Sequence, residues 1–111
     1  MPLNTAGINV AADAVRAAAG FLSLHSAAAG TTGANQTSAA RVAAEWAAAA
    51  DGDIVAGTKS FTGGAANGAV THVGYWSAAT GGTFYGSEPI TGDQSFNAAG
   101  EYQLTSTRIN F

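Results

Sequence analysis

The stretch Val70-Thr71-His72-Val73-Gly74-Tyr75-Trp76, followed by Thr80-Gly81-Gly82-Thr83-Phe84-Tyr85-Gly86, decides the fold. Side chains of a strand alternate between its two faces. This places Val70, His72, Gly74 and Trp76 on one face and Thr71, Val73 and Tyr75 on the other. The Gly-Gly pair supplies the positive-φ positions that a tight reversal needs. The sequence therefore predicts a β-hairpin and a strand-built protein, although the alanine-rich first half favours helix by propensity alone.

The composition indicates one small domain with little charge. The chain has 111 residues, enough for a single domain over 1–111 that folds without disulfides. Charged residues make up 10%, against about 25% in ordinary domains. Alanine accounts for about a quarter of the chain, and there are 15 glycines. Since so weakly polar a surface needs cover, we expect a homo-oligomer, with a trimer as the candidate symmetry, or a copy bound to a larger lattice.

The few charges also exclude two classes of partner. Four basic residues stand against seven acidic ones, and Arg16, Arg41, Lys59 and Arg108 are scattered singly. Nucleic acid and anionic membranes both require clustered cations, so neither is an expected partner. The apolar run 17–24 lacks the basic flank of a signal peptide and the length of a membrane span. There is no cysteine, hence no disulfide or thiolate site.

Periodicity and turn residues predict one helix and a series of short strands. Asn4 or Thr5 caps a helix over 4–19, whose stripe of Val10, Ala14 and Val15 packs on a sheet. Residues 21–111 are predicted to form an antiparallel β-sandwich or jelly roll, so the fold class is mainly β with one N-terminal α-helix. The predicted strands are Phe21–His25, Asp53–Ala56, Thr58–Thr62, Val70–Ser77, Thr83–Glu88 and Glu101–Phe111, with loops at Ser26–Thr37 and Thr91–Gly100.

The segment Ala39–Ala50 permits two interpretations. Its alanines favour a helix by intrinsic propensity. The alternative is a strand that runs into the Asp51-Gly52 pair, a dipeptide that reverses the chain into the next strand. In that strand Val42, Ala44, Trp46 and Ala48 point inward. We predict the strand, because a turn pair between two alternating runs is the stronger local signal.

Few residues suggest chemistry. His25 and His72 lie in strand patterns without a carboxylate or a third ligand at metal spacing, so we expect hydrogen-bonded sheet histidines. Asp51 and Asp53 flank a turn glycine and offer too few oxygens for calcium. Glu45, Glu88 and Glu101 are isolated in the sequence. We predict no enzyme, no catalytic residue, no metal and no cofactor.

The aromatic residues have two possible roles. Packing inside a small sandwich needs large side chains, and the predicted core residues are Leu22, Leu24, Trp46, Val73, Trp76 and Phe84. Exposed aromatic rings would instead form a platform for a sugar. The candidates for such surface recognition are Tyr75, Trp76 and Tyr85.

Three motifs together resemble a known family. They are Leu3-Asn4-Thr5-Ala6-Gly7-Ile8-Asn9 opening a helix, Ser23-Leu24-His25-Ser26 with Gly30-Thr31-Thr32-Gly33-Ala34-Asn35, and Thr71-His72-Val73-Gly74-Tyr75-Trp76-Ser77 with Gly81-Gly82-Thr83-Phe84-Tyr85-Gly86-Ser87. In this order they resemble small virion structural proteins of tailed bacteriophages. Such proteins occur in phages of actinobacteria and are described as tail fibre, minor tail or minor capsid proteins.

The resemblance implies a place on the virion and leaves two placements open. The first is a capsid decoration or minor capsid protein that docks on the major capsid protein and stabilises the head shell. The second is a tail-associated or tail-fibre protein that contacts tail proteins and attaches to a host glycan. We expect the first, because the chain is short, has no fibrous repeat and carries few charges.

Overall fold

The computed structural model describes residues 4–50 and 52–110, and strands dominate it. Within these residues one helix precedes eight strands. Strand makes up 33% and helix 13%, which confirms the predicted mainly-β antiparallel sandwich with one N-terminal helix. The elements are α1 (Thr5–Ala18), β1 (Phe21–His25), β2 (Val42–Ala43), β3 (Asp53–Ala56), β4 (Lys59–Phe61), β5 (His72–Trp76), β6 (Phe84–Pro89), β7 (Tyr102–Leu104) and β8 (Thr107–Asn110).

The largest sheet contains the predicted hairpin. Its strand order is β2-β1-β5-β6, and each neighbouring pair is antiparallel. Strands β5 and β6 pair with Val73 opposite Glu88. Gly81 and Gly82 in the connecting loop have φ angles of 60° and 76°, as the turn chemistry predicts. Two antiparallel ribbons, β3 with β8 and β4 with β7, form the other sheets of the described residues.

The main hydrophobic core lies on one face of the four-stranded sheet. Of the predicted core residues, it contains Leu22, Leu24, Trp46 and Val73. Trp76 and Phe84 instead pack together on the opposite face, with ring centroids 5.0 Å apart. Val70 belongs to the main core, so its predicted face shared with Trp76 is wrong. The reason is that β5 begins only at His72, and strict alternation does not extend back to Val70.

Helix α1 agrees with the predicted range 4–19 to within one residue at each end. The Asn4 side chain accepts a hydrogen bond from the Gly7 N–H at 2.9 Å, which makes Asn4 the N-cap. Neither this helix nor any other in the described residues combines the length and hydropathy that crossing a membrane requires.

The predicted apolar stripe of the helix is only partly correct. Val15 packs against the core as predicted, but the buried residue of the helix is Ala12, and Val10 is 71% exposed. The side chains of Asn9 and Asp13 accept hydrogen bonds from backbone N–H groups of the segment 49–52, at 3.0 and 3.3 Å. These two bonds orient the helix so that its Val10 side faces solvent.

The strand predicted over Ala39–Ala50 is largely wrong, and the segment is not helical either. Only Val42–Ala43 pairs with β1. Glu45 then has a φ of 52°, which interrupts the extended backbone. Trp46 points inward as predicted, and its Nε1–H donates to a backbone carbonyl at the end of α1 at 2.7 Å. Ala48, also predicted inward, is exposed.

The chain reversal after this segment lies where the sequence predicts it. Ala50 and Asp53 form an antiparallel bridge, with N···O distances of 3.0 and 2.9 Å. Gly52 has a φ of 81°, a conformation that favours glycine. Asp51 lies outside the described residues.

The single strand predicted over Glu101–Phe111 is two strands in different ribbons. Strand β7 pairs with β4 and β8 pairs with β3, and the chain bends between them. The Thr58 hydroxyl donates to the Thr105 carbonyl at 2.9 Å. The connection between β3 and β4 and the connection between β7 and β8 therefore lie side by side. Phe111 lies outside the described residues.

Candidate functional site

The three aromatic residues predicted for surface recognition differ in exposure. Tyr75 is 4% and Trp76 9% exposed, so of the two roles left open by the sequence both side chains have the position of packing residues. The physical reason is that both faces of β5 are covered. Tyr85 is 52% exposed and lies on β6, an edge strand of the four-stranded sheet. Of the three, Tyr85 alone is accessible to an external ligand.

A chain of hydrogen bonds holds Trp76 on the second face of the sheet. Its Nε1–H donates to Ser23 Oγ at 2.8 Å, and Ser23 Oγ lies 2.6 Å from His25 Nε2. His25 Nδ1 lies 2.8 Å from the Ala34 carbonyl oxygen. A carbonyl only accepts, so Nδ1 carries the proton and Nε2 accepts from the Ser23 hydroxyl. One arrangement of protons therefore satisfies all three side chains.

This arrangement requires a neutral imidazole at His25. Burial lowers the pKa of His25 below its usual value of 6.5. The hydrogen bond to the Ala34 carbonyl opposes this shift, while the nearby His72 and Arg41 add to it. The ring is therefore neutral at pH 7, as the hydrogen-bond pattern demands.

Two glycines leave space for this buried cluster. A Cβ atom at Gly33 would lie 2.5 Å from the Trp76 ring, and one at Gly74 would lie 2.5 Å from His25 Nε2. Gly33 also has a φ of 77°. The loop that contains Gly33 therefore covers the second face of the sheet at contact distance, and a larger residue would push the loop away from the sheet.

Arg41 covers the Trp76 ring from another side. Its guanidinium carbon lies 3.6 Å from the ring centroid, within cation–π distance. Nη1 donates to the carbonyls of Ala78 and Gly81 at 2.9 and 2.7 Å, and Nη2 donates to Gln36 Oε1 at 3.1 Å. The sequence places Arg41 on an outward strand face. The sequence contains no signal for the contacts of Arg41 with Trp76, Ala78 and Gly81, because these residues lie far along the chain.

The buried pair resembles a catalytic one in distance only. Ser23 and His25 have the separation of a nucleophile and its base, but both are 0% exposed. No substrate can reach them, so their role is to hold the sheet and its covering loop together. His72 Nδ1 lies 2.8 Å from the Thr71 hydroxyl. Across residues 4–50 and 52–110, no three His, Asp or Glu side chains are grouped so as to hold a metal ion.

An apolar groove of about 470 Å³ lies between α1 and β6. Tyr85 forms part of one wall and Ala14 part of the other, and Val10 lies one helical turn beyond Ala14 on the same side of α1. Burial raises the pKa of Glu88, whose carboxyl group lies at this groove. The lining residues are Ala14, Val15, Ala18, Tyr75, Tyr85, Gly86, Ser87, Glu88 and Ile109.

A second, polar cleft of about 530 Å³ lies beside the C-terminal end of β6. Residues 88–93 form one wall and residues 102–108 the other. Glu88 lines both this polar cleft and the apolar groove. The loop Thr91–Gly100, predicted from its glycines and polar residues, contributes its first three residues. The sequence alone does not reveal the cleft, because its two walls belong to different sheets, β6 to one and β7 and β8 to the two ribbons, which come together only in the folded chain.

Comparison with known protein families places the chain beside phage fibre proteins. The family model described as "Podophage GP4 fiber I protein gp80" matches residues 3–111. No curated protein and no solved structure matches the chain. The matched range includes α1, all eight strands of the described residues, the apolar groove and the polar cleft.

Proposed function

The chain belongs to the podophage GP4 fiber I protein family, and we propose from this membership that it is a structural subunit of a podophage tail fibre. Membership in this family makes it a phage virion protein of the fibre type. This agrees with the resemblance to virion structural proteins of tailed bacteriophages. Of the two placements left open by the sequence, the family favours the tail over the head. Capsid decoration, the placement expected from the sequence, lacks comparable support.

The observation that carries this proposal is the extent of the match. It runs from residue 3 to residue 111, so no strand or loop of the described residues falls outside the family model. The proposed role therefore belongs to the matched chain as a whole rather than to one motif within it.

We assign copy-to-copy contact in the fibre to the apolar groove. Val10 and Tyr85 are the exposed large hydrophobic residues of the described ranges. Tyr85 lines this groove, and Val10 lies one helical turn from Ala14 in its wall. Burying apolar surface there contributes about 25 cal/mol per Å² before the cost of association. A homo-oligomer, with a trimer as the candidate, would cover the two side chains.

We assign host contact to the C-terminal end of β6. Tyr75 and Trp76 are buried, and Tyr85 serves the groove in this proposal. The polar cleft with the start of the loop Thr91–Gly100 is then the surface for a host glycan.

Separating heads from tails tests the placement. Purified particles are dissociated, the two fractions are isolated, and the chain is quantified in each against a standard. We expect a small copy number with the tails. Hundreds of copies with the heads would contradict the fibre proposal and restore capsid decoration.

A further inference from the structure

The polar cleft is held in shape by hydrogen bonds between and within its walls. The Tyr102 hydroxyl donates to the Asp93 carbonyl at 2.6 Å and so joins the two walls. The Gln94 side chain donates to the Ile90 carbonyl at 2.6 Å, which fixes the loop next to the cleft. Asp93 Oδ1 accepts from the Ser95 N–H at 3.2 Å. A ligand would therefore bind a preformed site without the cost of ordering a loop.

The lining of the cleft combines polar rims with an apolar floor. Gln103, Thr105 and Ser106 are exposed along one rim, where their amide and hydroxyl groups can both donate and accept hydrogen bonds. Glu88, which borders both this cleft and the apolar groove, adds a carboxylate between them. The floor contains the buried side chains of Val73, Ile90 and Leu104. A ligand that fits this lining carries hydroxyl groups at its edges and C–H groups on a face.

The charge of the cleft excludes anionic ligands. Glu88 and Asp93 are set against one cation, Arg108, whose Nε already lies 3.7 Å from an Asp53 carboxylate oxygen. Phosphate, sulfate and nucleic acid require several cations or a bidentate arginine free to bind them. The cleft offers neither, so an anionic ligand does not fit it, and its amide and hydroxyl groups suit an uncharged ligand.

We propose that this polar cleft binds a neutral sugar residue, the terminal unit of a glycan. Its volume of about 530 Å³ falls within the range of small-ligand sites. Both rims supply groups that donate to and accept from sugar hydroxyls, and the apolar floor matches the C–H face of the ring. That the glycan belongs to the host surface rests on the proposed fibre function, whereas sugar binding itself rests on the cleft alone.

Chemical-shift titration of the purified chain tests the proposal. The ¹⁵N-labelled full chain is titrated separately with D-glucose, D-galactose, D-mannose, L-rhamnose and N-acetyl-D-glucosamine. Each sugar is taken to about 50 mM, where even a millimolar complex is almost fully formed. We expect at least one sugar to shift backbone amide signals of residues 91–93 and 103–108 in a saturable way.

Two variants and a matched control assign the binding to these side chains. Gln103→Ala removes a hydrogen-bonding group from one rim and should weaken binding about tenfold or more. Glu88→Gln replaces a carboxylate, which accepts hydrogen bonds at two oxygens, by an amide with one acceptor oxygen, and should also weaken binding. Glu101→Gln makes the same chemical change as Glu88→Gln outside the polar cleft and should leave the affinity unchanged. The melting temperature of each variant shows whether it is folded. If Glu88→Gln does not fold, Gln103→Ala, at an exposed position, still tests the cleft.

Several results would overturn the proposal. One is the absence of saturable shifts with all five sugars. Another is shifts confined to residues of the apolar groove. A third is a Glu101→Gln variant that binds the sugar as weakly as Glu88→Gln does. The fibre proposal is judged separately by the fractionation. A sugar-binding chain found on heads would contradict the fibre role alone, and a tail chain without sugar binding would contradict the cleft proposal alone.

Discussion

Trp76, Ser23 and His25 form a unit in which each polar atom depends on the next. The indole N–H needs the Ser23 oxygen, and the Ser23 hydroxyl needs the unprotonated nitrogen of His25. Because the three side chains are buried, water cannot replace a lost partner, and a broken bond leaves a group unpaired at full cost.

Replacing Ser23 tests this dependence. Ser23→Ala leaves both the Trp76 N–H and His25 Nε2 without a partner, and the free energy of unfolding should fall by at least about 1–3 kcal/mol. Ser26→Ala removes an exposed hydroxyl and should change the free energy of unfolding by less than about 0.5 kcal/mol. Urea unfolding of both variants gives the comparison. Equal values for the two would show that the buried network contributes nothing to stability.

The lowered pKa of His25 predicts how stability depends on pH. In the unfolded chain His25 titrates near 6.5, and in the folded chain it titrates below that value. At pH 7 the ring is neutral in both states, so the His25 hydrogen bonds contribute fully to the free energy of unfolding. As the pH falls below 6.5 the unfolded chain takes up the proton first, and stability is lost until the folded pKa is passed.

Titration of the His25 ring by NMR, together with urea unfolding between pH 7 and pH 5, measures this effect. We expect a ring pKa below 6.5 and a urea midpoint of unfolding that falls as the pH is lowered from 7 to 5. A ring pKa at or above 6.5 would contradict the assigned protons.

At the scale of elements, the sequence predicts the pieces whose signals are local. The hairpin of β5 and β6 follows from alternation and a Gly-Gly pair, and the helix start follows from its cap. The bend at Glu45 is different, because contacts distant in the chain hold it, among them the ion pair of Lys59 Nζ with Glu45 Oε1 at 2.8 Å. The exposed side of α1 depends likewise on polar contacts of Asn9 and Asp13 that no helical period encodes.

The loop over the second sheet face is an element whose fit can be tested. Gly30→Ala and Gly33→Ala both place a side chain at positive φ, which costs about 1–2 kcal/mol. At Gly30 the new methyl group meets nothing within 4 Å, whereas at Gly33 it meets the Trp76 ring. Gly33→Ala should therefore lower the free energy of unfolding clearly more than Gly30→Ala. Equal losses would mean that the loop does not pack on Trp76.

In the molecule as a whole, one strand lines two surfaces. The chain measures 45 × 25 × 20 Å, and β6 borders the apolar groove along residues 85–88 and the polar cleft from Glu88 onward. The sequence predicts exposed aromatics as one candidate surface and, separately, a polar loop over Thr91–Gly100. Their arrangement on either side of Glu88 depends on sheet order and on the pairing of β7 and β8, which are long-range properties of the fold.

Self-association through the apolar groove predicts a specific response to charge. The double variant Val10→Lys/Tyr85→Lys would force two charges against apolar surface and should weaken the oligomer at least about tenfold. The control Thr62→Lys/Thr80→Lys adds the same charge at exposed positions away from the groove and should keep the oligomer. Sedimentation velocity over a range of concentrations measures both. A monomeric wild-type chain that also fails to attach to virions would contradict the assignment.

Electron cryo-microscopy of the intact particle tests whether this chain is a tail-fibre subunit. We expect density on the tail that fits the 45 × 25 × 20 Å molecule, with neighbouring copies in contact through α1 and β6. Density that fits the molecule on the head lattice, with none on the tail, would contradict it.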